Sequence, residues 1–270
     1  MTTTTQGVAL VTGASSGIGL VTAYALAKAG YRVFGTSRKA VASPAGVTML
    51  VCDVTDELSV KKLVNEVVRQ AGRIDLLVNN AGVGLLGGAE ESSIGQAQRL
   101  FDVNVFGVAR AVNAVLPFMR AQKSGRIINM SSILGLIPSP FNAYYAATKH
   151  AIEGYTESLD HEVRRFGIRA VLVQPGVTRT AFEENLTRAD CLMPTYAEDR
   201  ERSEALMTRW VETGDDPQVV ADTVVKAAMA AKPGLRYSAG KQSSQVRMLR
   251  RLLPEAVFDK LMRKFNAFPA

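Results

Sequence analysis

The chain has 270 residues, 47% of them apolar and 21% charged, with a formal net charge of +7. That balance suits a globular protein with a sizeable core and excludes a disordered chain, and the length fits one large α/β domain or two small ones. Its two cysteines, Cys52 in an apolar run and Cys191 in a polar one, exclude a disulfide framework and a cysteine metal cage.

The charge is concentrated at one end. From Lys241 onward seven basic residues stand against Glu255 and Asp259, leaving +5 in the last thirty residues and +2 in the rest. No basic stripe interleaved with aromatics runs over the main body, so nucleic-acid binding is not expected. The opening Met1-Thr2-Thr3-Thr4-Thr5-Gln6 lacks the basic and apolar regions of a secretory leader. No run reaches the ~18 apolar residues needed to span a bilayer, and a cytoplasmic protein is expected.

Short apolar runs alternate with longer stretches of helical period, the pattern of successive βα units around a buried parallel sheet. Strands are predicted at Val8 to Thr12, Tyr31 to Thr36, Val47 to Cys52, Ile74 to Asn79, Arg126 to Met130 and Ile168 to Gln174. Helices are predicted at Ser16 to Ala29, Glu57 to Gly72, Ile94 to Ala121 and Ala143 to Phe166. Asp216-Pro217 supplies a side-chain acceptor and a first-turn proline, and starts a helix to about Ala231. A short strand around Leu235 to Ser238 follows, and the absence of repeats and linkers favours one doubly wound domain over residues 1–240 with a tail at 241–270.

Between the first strand and first helix lies Thr12-Gly13-Ala14-Ser15-Ser16-Gly17-Ile18-Gly19. Backbone N–H groups and the positive end of the helix dipole converge there on an anion, and glycines admit a pyrophosphate to close range. The spacing Gly-x3-Gly-x-Gly departs from the common dinucleotide fingerprint. The second strand ends in Ser37-Arg38-Lys39, with no carboxylate to take both ribose hydroxyls of NAD. Arg38, supported by Ser37 and Lys39, suits a 2′-phosphate and points to NADP(H) over NAD(H). Cys52-Asp53-Val54 closes the third strand beside the expected adenine site, where Asp53 either accepts from the adenine amino group or caps the next helix.

In Tyr145-Ala146-Ala147-Thr148-Lys149 a phenol and an ammonium share one helix face. A nearby lysine cation favours the phenolate and lowers the tyrosine pKa toward the range of an acid/base catalyst.

With these motifs in this order, the chain resembles the classical short-chain dehydrogenase/reductase family from about Val8 to Tyr237. The resemblance rests on the loop Thr12 to Gly19, Asn79-Asn80-Ala81-Gly82, Asn104 within Phe101-Asp102-Val103-Asn104, Ser131-Ser132, Tyr145 with Lys149, and Pro175-Gly176. It implies a Rossmann-like fold with a seven-stranded parallel sheet, a dimer or tetramer, and a tetrad of Asn104, Ser132, Tyr145 and Lys149. Lys149 is four residues from Tyr145 and five from Tyr144, which favours Tyr145. The family's serine-to-tyrosine interval favours Ser132 over Ser131.

The resemblance implies hydride transfer between a nicotinamide and a carbonyl carbon, with Tyr145 giving the oxygen its proton and Ser132 holding that oxygen. On the same resemblance Lys149 would also bind the nicotinamide ribose, and Asn104 would bend or cap its helix so that a main-chain carbonyl holds a relay water. The resemblance further implies that Asn80, Ala81 and Gly82 would line the cofactor groove, as would Pro175, Gly176, Val177, Thr178 and Thr180, with Thr180 ahead of Thr178 as the carboxamide partner.

The segment from Arg179 to Gly214 is expected to fold over the substrate as a lid. Phe182, Leu186, Leu192, Met193, Tyr196, Met207 and Trp210, with Leu134, Leu136, Ile137 and Phe141, are candidates to line a pocket for a bulky hydrophobic ketone or alcohol, about half of them as core. The chain also resembles the hydroxysteroid and retinol branch of the family. His150 and His161 have no metal-ligand spacing and are expected to be structural. For the tail, an amphipathic stretch broken by Pro254, three readings compete: packing on the parent domain or a second subunit, attachment to anionic lipid, and docking of an acidic carrier protein. The last fits a 3-oxoacyl-carrier-protein reductase, and a non-catalytic NADPH sensor is the alternative from another class.

Overall fold

A computed structural model of the chain describes residues 6–182 and 186–266. The parts of the expected lid and tail at 183–185 and 267–270 lie outside the described residues, as do residues 1–5.

Seven strands form one parallel sheet: β1 (Gly7–Val11), β2 (Tyr31–Ser37), β3 (Val47–Val51), β4 (Leu76–Asn79), β6 (Gly125–Met130), β7 (Ile168–Pro175) and β9 (Arg236–Ala239), in the order β3-β2-β1-β4-β6-β7-β9. The inner strands read as unbroken apolar runs because both faces are covered. In β1, Val8 and Leu10 face one core while Ala9 and Val11 face the other. The first core is closed by α2 (Glu57–Ala71), α4 (Gly107–Gln122) and α5 (Ala143–Val163), the second by α1 (Gly17–Lys28) and α7 (Pro217–Met229). The chain builds outward from β1 to β3 and then restarts on the other side at β4. That reversal leaves a crevice beyond the carboxyl ends of β1 and β4, where the glycine loop lies.

The expected boundaries hold to within a few residues, and Asp216 caps α7 by accepting from the Gln218 N–H at 2.8 Å, with Pro217 in its first turn. The predicted helix from Ile94 to Ala121 is more complex. It comprises α3 (Ile94–Phe101), one π-helical turn (Asp102–Phe106) and α4, and the extra residue of the wide turn directs Asn104 inward. The whole run, Ile94–Gln122, is long and apolar enough to cross a membrane by length and composition. Here Val108, Ala111, Val112, Val115 and Met119 bury its apolar side in the first core.

Two short strands were not foreseen. β5 (Leu85–Leu86), after the crevice, pairs in parallel with β8 (Thr187–Arg188) of the lid, and α6 (Ala197–Glu212) completes that segment. The tail forms α8 (Lys241–Leu252) and α9 (Glu255–Phe265), separated at Leu253-Pro254. Val246, Phe258 and Met262 join Ile133 and Ile137 in a third apolar cluster, so the tail packs on the segment that follows Ser132.

Candidate active site

The glycine loop is built for close approach. Gly13 and Gly17 hold φ of +66° and +53°, in the left-handed region that favours glycine. A Cβ on Gly13 would lie 2.8 Å from the Ala81 Cα, and one on Gly19 would lie 2.1 Å from the Gly13 carbonyl oxygen. Asn80 pins the loop from across the crevice: its Nδ2 donates to the Thr12 and Gly13 carbonyls, each at 3.0 Å. The Thr12 hydroxyl accepts from the Asn80 and Ala81 N–H groups. Ser16 occupies the N-cap of α1 without a side-chain cap, so the first-turn N–H groups face the loop's mouth, where Ser15 and Ser16 are exposed and Ile18 half-buried. These residues fit the pyrophosphate of a dinucleotide.

At the end of β2, Ser37 is half-buried and Arg38 and Lys39 are exposed. Asp53 lies near enough to Arg38 to feel its charge, but its carboxyl is held below the usual range chiefly by the Thr55 N–H and hydroxyl, at 2.9 and 2.7 Å. The helix-capping alternative for Asp53 is therefore corrected: Asp56 caps α2 through the Leu58 N–H, because it directly precedes the first helical turn. Val54 is buried and packs where a Cβ on Gly107 would fall.

Beyond the end of β6, Ser132 and Tyr145 share a side-chain hydrogen bond. The Ser132 Oγ also accepts from the Leu134 N–H at 3.1 Å, which fixes the hydroxyl toward the crevice. Ser131 is buried on the other side of the strand, as the alternation of a β-strand requires. Lys149, one turn after Tyr145, is buried and its Nζ donates to the Met130 carbonyl at 2.9 Å while lying 5.6 Å from the centre of the Tyr145 ring. Burial holds Lys149 down to about 8 from 10.5, opposed by the charge of Glu153.

The electrostatics differ from the expectation that the lysine lowers the tyrosine. Burial raises Tyr145 well above an ordinary phenol, and the bond from Ser132 is what pulls it back. Desolvation dominates because the ammonium lies 5.6 Å from the ring centre and is turned toward the Met130 carbonyl.

Asn104 is 2% exposed and grips the Val83 backbone at both ends, accepting from its N–H and donating to its carbonyl, each at 2.9 Å. Its Nδ2 also bonds the Thr148 hydroxyl on α5, which ties the π-turn to the Tyr145 helix. After β7, the Thr178 hydroxyl bonds back to the Gly176 carbonyl and its backbone pairs with Asp215. Thr180 instead lies over the phosphate loop, its Cβ 3.6 Å from where a Cβ on Gly17 would stand. The Val177 N–H is held by Gln242 of α8, and Gly176 sits against the same side chain, so the tail also steadies the loop after Pro175.

The lid lies over Tyr145. The Phe182 ring centre is 5.9 Å from that of Tyr145, and Tyr196 meets Phe141 edge-on at 6.3 Å. Ile137 and Phe141 are buried and serve as core, whereas Phe182, Leu192 and Met193 are exposed. Trp210 of α6 stacks on Phe265 of α9 at 4.7 Å.

Sequence reasoning missed the residue that fastens this lid. Glu91, fully buried, accepts from the Gly88 and Met193 N–H groups, each at 2.8 Å, and pairs with Arg200 of α6. Desolvation works to raise its pKa, and these three partners together bring it below the usual value. Ser93 and Gln96 add bonds to Asp190 and to the Arg188 carbonyl. Nothing local in Glu90-Glu91 marks the buried one, since Met193 and Arg200 lie about a hundred residues away.

The family model for short chain dehydrogenase matches residues 7–190. A 3-ketodihydrosphingosine reductase from Bacteroides thetaiotaomicron is 38% identical over 233 residues, covering 86% of this chain and 87% of the relative. Retinol dehydrogenase 8 from Bos taurus is 37% identical over 249 residues, covering 84% and 79%. The solved structure of a short chain dehydrogenase/reductase from Burkholderia phymatum in complex with NAD superposes with a TM-score of 0.79 at 27% identity, covering 93% of this chain and 95% of that one. The match over most of the sheet and crevice, together with two relatives above 30% identity, makes this chain a member of the short chain dehydrogenase family of oxidoreductases.

Proposed function

We propose that the chain is an NADP(H)-dependent oxidoreductase that interconverts a carbonyl and a secondary alcohol on a bulky hydrophobic substrate of steroid-, retinoid- or aromatic-ketone-like size. The observation that carries this reading is the Tyr145 hydroxyl, bonded to Ser132, with the Phe182 ring 5.9 Å from its own and the Lys149 ammonium 5.6 Å from its ring centre.

A bound nicotinamide supplies or accepts the hydride. Gly13, Ser15, Ser16, Gly17, Ile18 and Gly19 would hold its pyrophosphate, and Ser37, Arg38 and Lys39 a 2′-phosphate. Tyr145 would give its proton to the carbonyl oxygen in reduction and take it back in oxidation, with a raised pKa keeping the donor protonated at neutral pH. Ser132 would hold that oxygen in line with Tyr145. Lys149 would keep a cation under the ring and reach the ribose hydroxyls, while Asn104 would hold the 83 backbone and α5 in register. Preference for NADP(H) is supported by two exposed cations and no carboxylate at the end of β2.

A hydrophobic substrate is supported by the apolar lid and by the ketosphingoid and retinol substrates in the relatives' names. The same reading includes a homodimer or homotetramer, supported by the exposed Ile94 and Phe106, and a cytoplasmic setting, supported by two unpaired thiols.

The test follows NADPH consumption over a panel of aliphatic, aromatic and steroidal ketones and acetoacetyl thioesters, with Tyr145→Phe alongside. Turnover of bulky ketones that vanishes in the variant is the expected result. Preference for the thioester would move the assignment to an acyl-carrier-protein reductase, and tight NADPH binding without any turnover would move it to a sensor.

A further inference from the structure

The outward side of the C-terminal extension takes no part in the site described above. α8 and α9 turn Val246, Phe258 and Met262 onto the 133–137 segment, so both helices already have a buried side and their remaining faces look away from the domain. Those faces carry Met248, Leu252 and Val257, which are 55%, 69% and 50% exposed. Three large aliphatic side chains left in water on two short helices mark a contact surface.

Their surroundings are basic. Arg251, Lys260 and Lys264 are exposed beside them, in the stretch that holds +5 of the chain's +7. A groove of about 680 Å³ runs between α7, β9 and α8, with Lys226, Arg251, Thr223 and Ser244 on its walls and Met248 and Leu252 at its side. Arg236, also in the groove, is engaged by Glu153 and Glu157, and Arg247 donates to the Arg236 carbonyl, which leaves Lys226 and Arg251, with the un-neutralised charge of Arg247, as the cations facing an incoming anion. Cations flanking exposed aliphatic groups match the boundary between anionic headgroups and acyl chains, where the charge meets phosphate and the aliphatic tips enter the apolar layer.

We propose that the C-terminal extension docks the enzyme on an anionic lipid surface, with Met248, Leu252 and Val257 in the headgroup layer and a lipid phosphate in the groove beside Lys226 and Arg251. Docking there brings the lid close to the bilayer, because Phe265 of α9 stacks on Trp210 of the lid helix. The benefit of that placement rests on the hydrophobic-substrate reading, whereas the docking itself does not.

The test is co-sedimentation of the full chain with vesicles of phosphatidylcholine alone or mixed with phosphatidylserine, with NADPH turnover on a dissolved ketone measured separately so that each proposal fails on its own readout. Binding is expected only with the anionic vesicles and is abolished by high salt. Arg251→Glu/Lys260→Glu/Lys264→Glu is expected to weaken it about a hundredfold or more, at about fivefold per cation removed. Met248→Ser/Leu252→Ser is expected to weaken it with the melting temperature unchanged, since both side chains are already in water. Failure to sediment with anionic vesicles, or binding that both variants leave intact, overturns the proposal. Capture of an acidic carrier protein in place of vesicles overturns it in favour of a protein partner.

Discussion

The Lys149 ammonium donates to the Met130 carbonyl at 2.9 Å, which fixes a buried cation one helical turn behind Tyr145. The cost of that burial appears in its pKa of about 8, against 10.5 for an ordinary lysine. Between those two values the unfolded chain binds more protons at this site than the folded one, so its contribution to stability improves as pH rises from about 8 to about 10.5. Below pH 8 the full penalty is present, about 3 kcal/mol at 1.36 kcal/mol per pKa unit. Lys149→Met is therefore expected to melt higher than the parent at pH 7, with the advantage shrinking toward pH 10.5. Parallel thermal melts of the two proteins across that range check it, and a pH-independent difference would refute it.

Tyr145→Phe is expected to lower kcat by about 10²- to 10⁴-fold, the usual range for a positioned proton donor, with the NADPH Kd unchanged. Ser132→Ala removes the bond that lowers the tyrosine pKa. Alcohol oxidation needs the phenolate, so its pH profile should move to higher pH in that variant. An unmoved profile with reduced kcat would limit Ser132 to holding the substrate oxygen.

Arg38→Ala should cost NADPH selectively. A hydrogen bond to a charged group contributes about 1.5–3 kcal/mol, so kcat/KM for NADPH is expected to fall about 10- to 100-fold while that for NADH changes little. Equal losses with both cofactors would show that Arg38 does not read the 2′ position.

Arg200→Ala strands the buried Glu91 carboxylate. Breaking one partner of a buried pair costs about 3–5 kcal/mol, which should lower the melting temperature on the order of 10 °C. Because Glu91 also holds the Met193 N–H, KM for a bulky ketone is expected to rise more than kcat falls. Proteolysis within the lid, faster in the variant, gives an independent measure of its release.

Trp210→Ala and Phe265→Ala remove either side of the stack between lid and tail. Each is expected to destabilise that contact by about 0.5–1.5 kcal/mol beyond its buried area, and the double variant should do no more than either single. A double-variant cycle on melting temperature and on KM measures the coupling.

The parallel sheet, the glycine loop and the Tyr145–Lys149 face were legible because each is set by local rules. Unbroken apolar runs require burial on both faces, positive φ selects glycine at Gly13 and Gly17, and a spacing of four places two side chains on one helix face. The π-turn at Asn104 was half-legible: an asparagine in an apolar helix signals a special role, but its grip on Val83 depends on a loop twenty-one residues away.

Sequence by itself determined the family and the order of the βα units, since these follow from periodicity and motif spacing along the chain. Tertiary structure alone decided the direction of the Tyr145 pKa, the burial of Glu91 under the lid, the pairing of β5 with β8, and which side of the basic tail faces water. Each depends on desolvation or on partners more than a hundred residues apart, and neither leaves a local pattern for the sequence to carry.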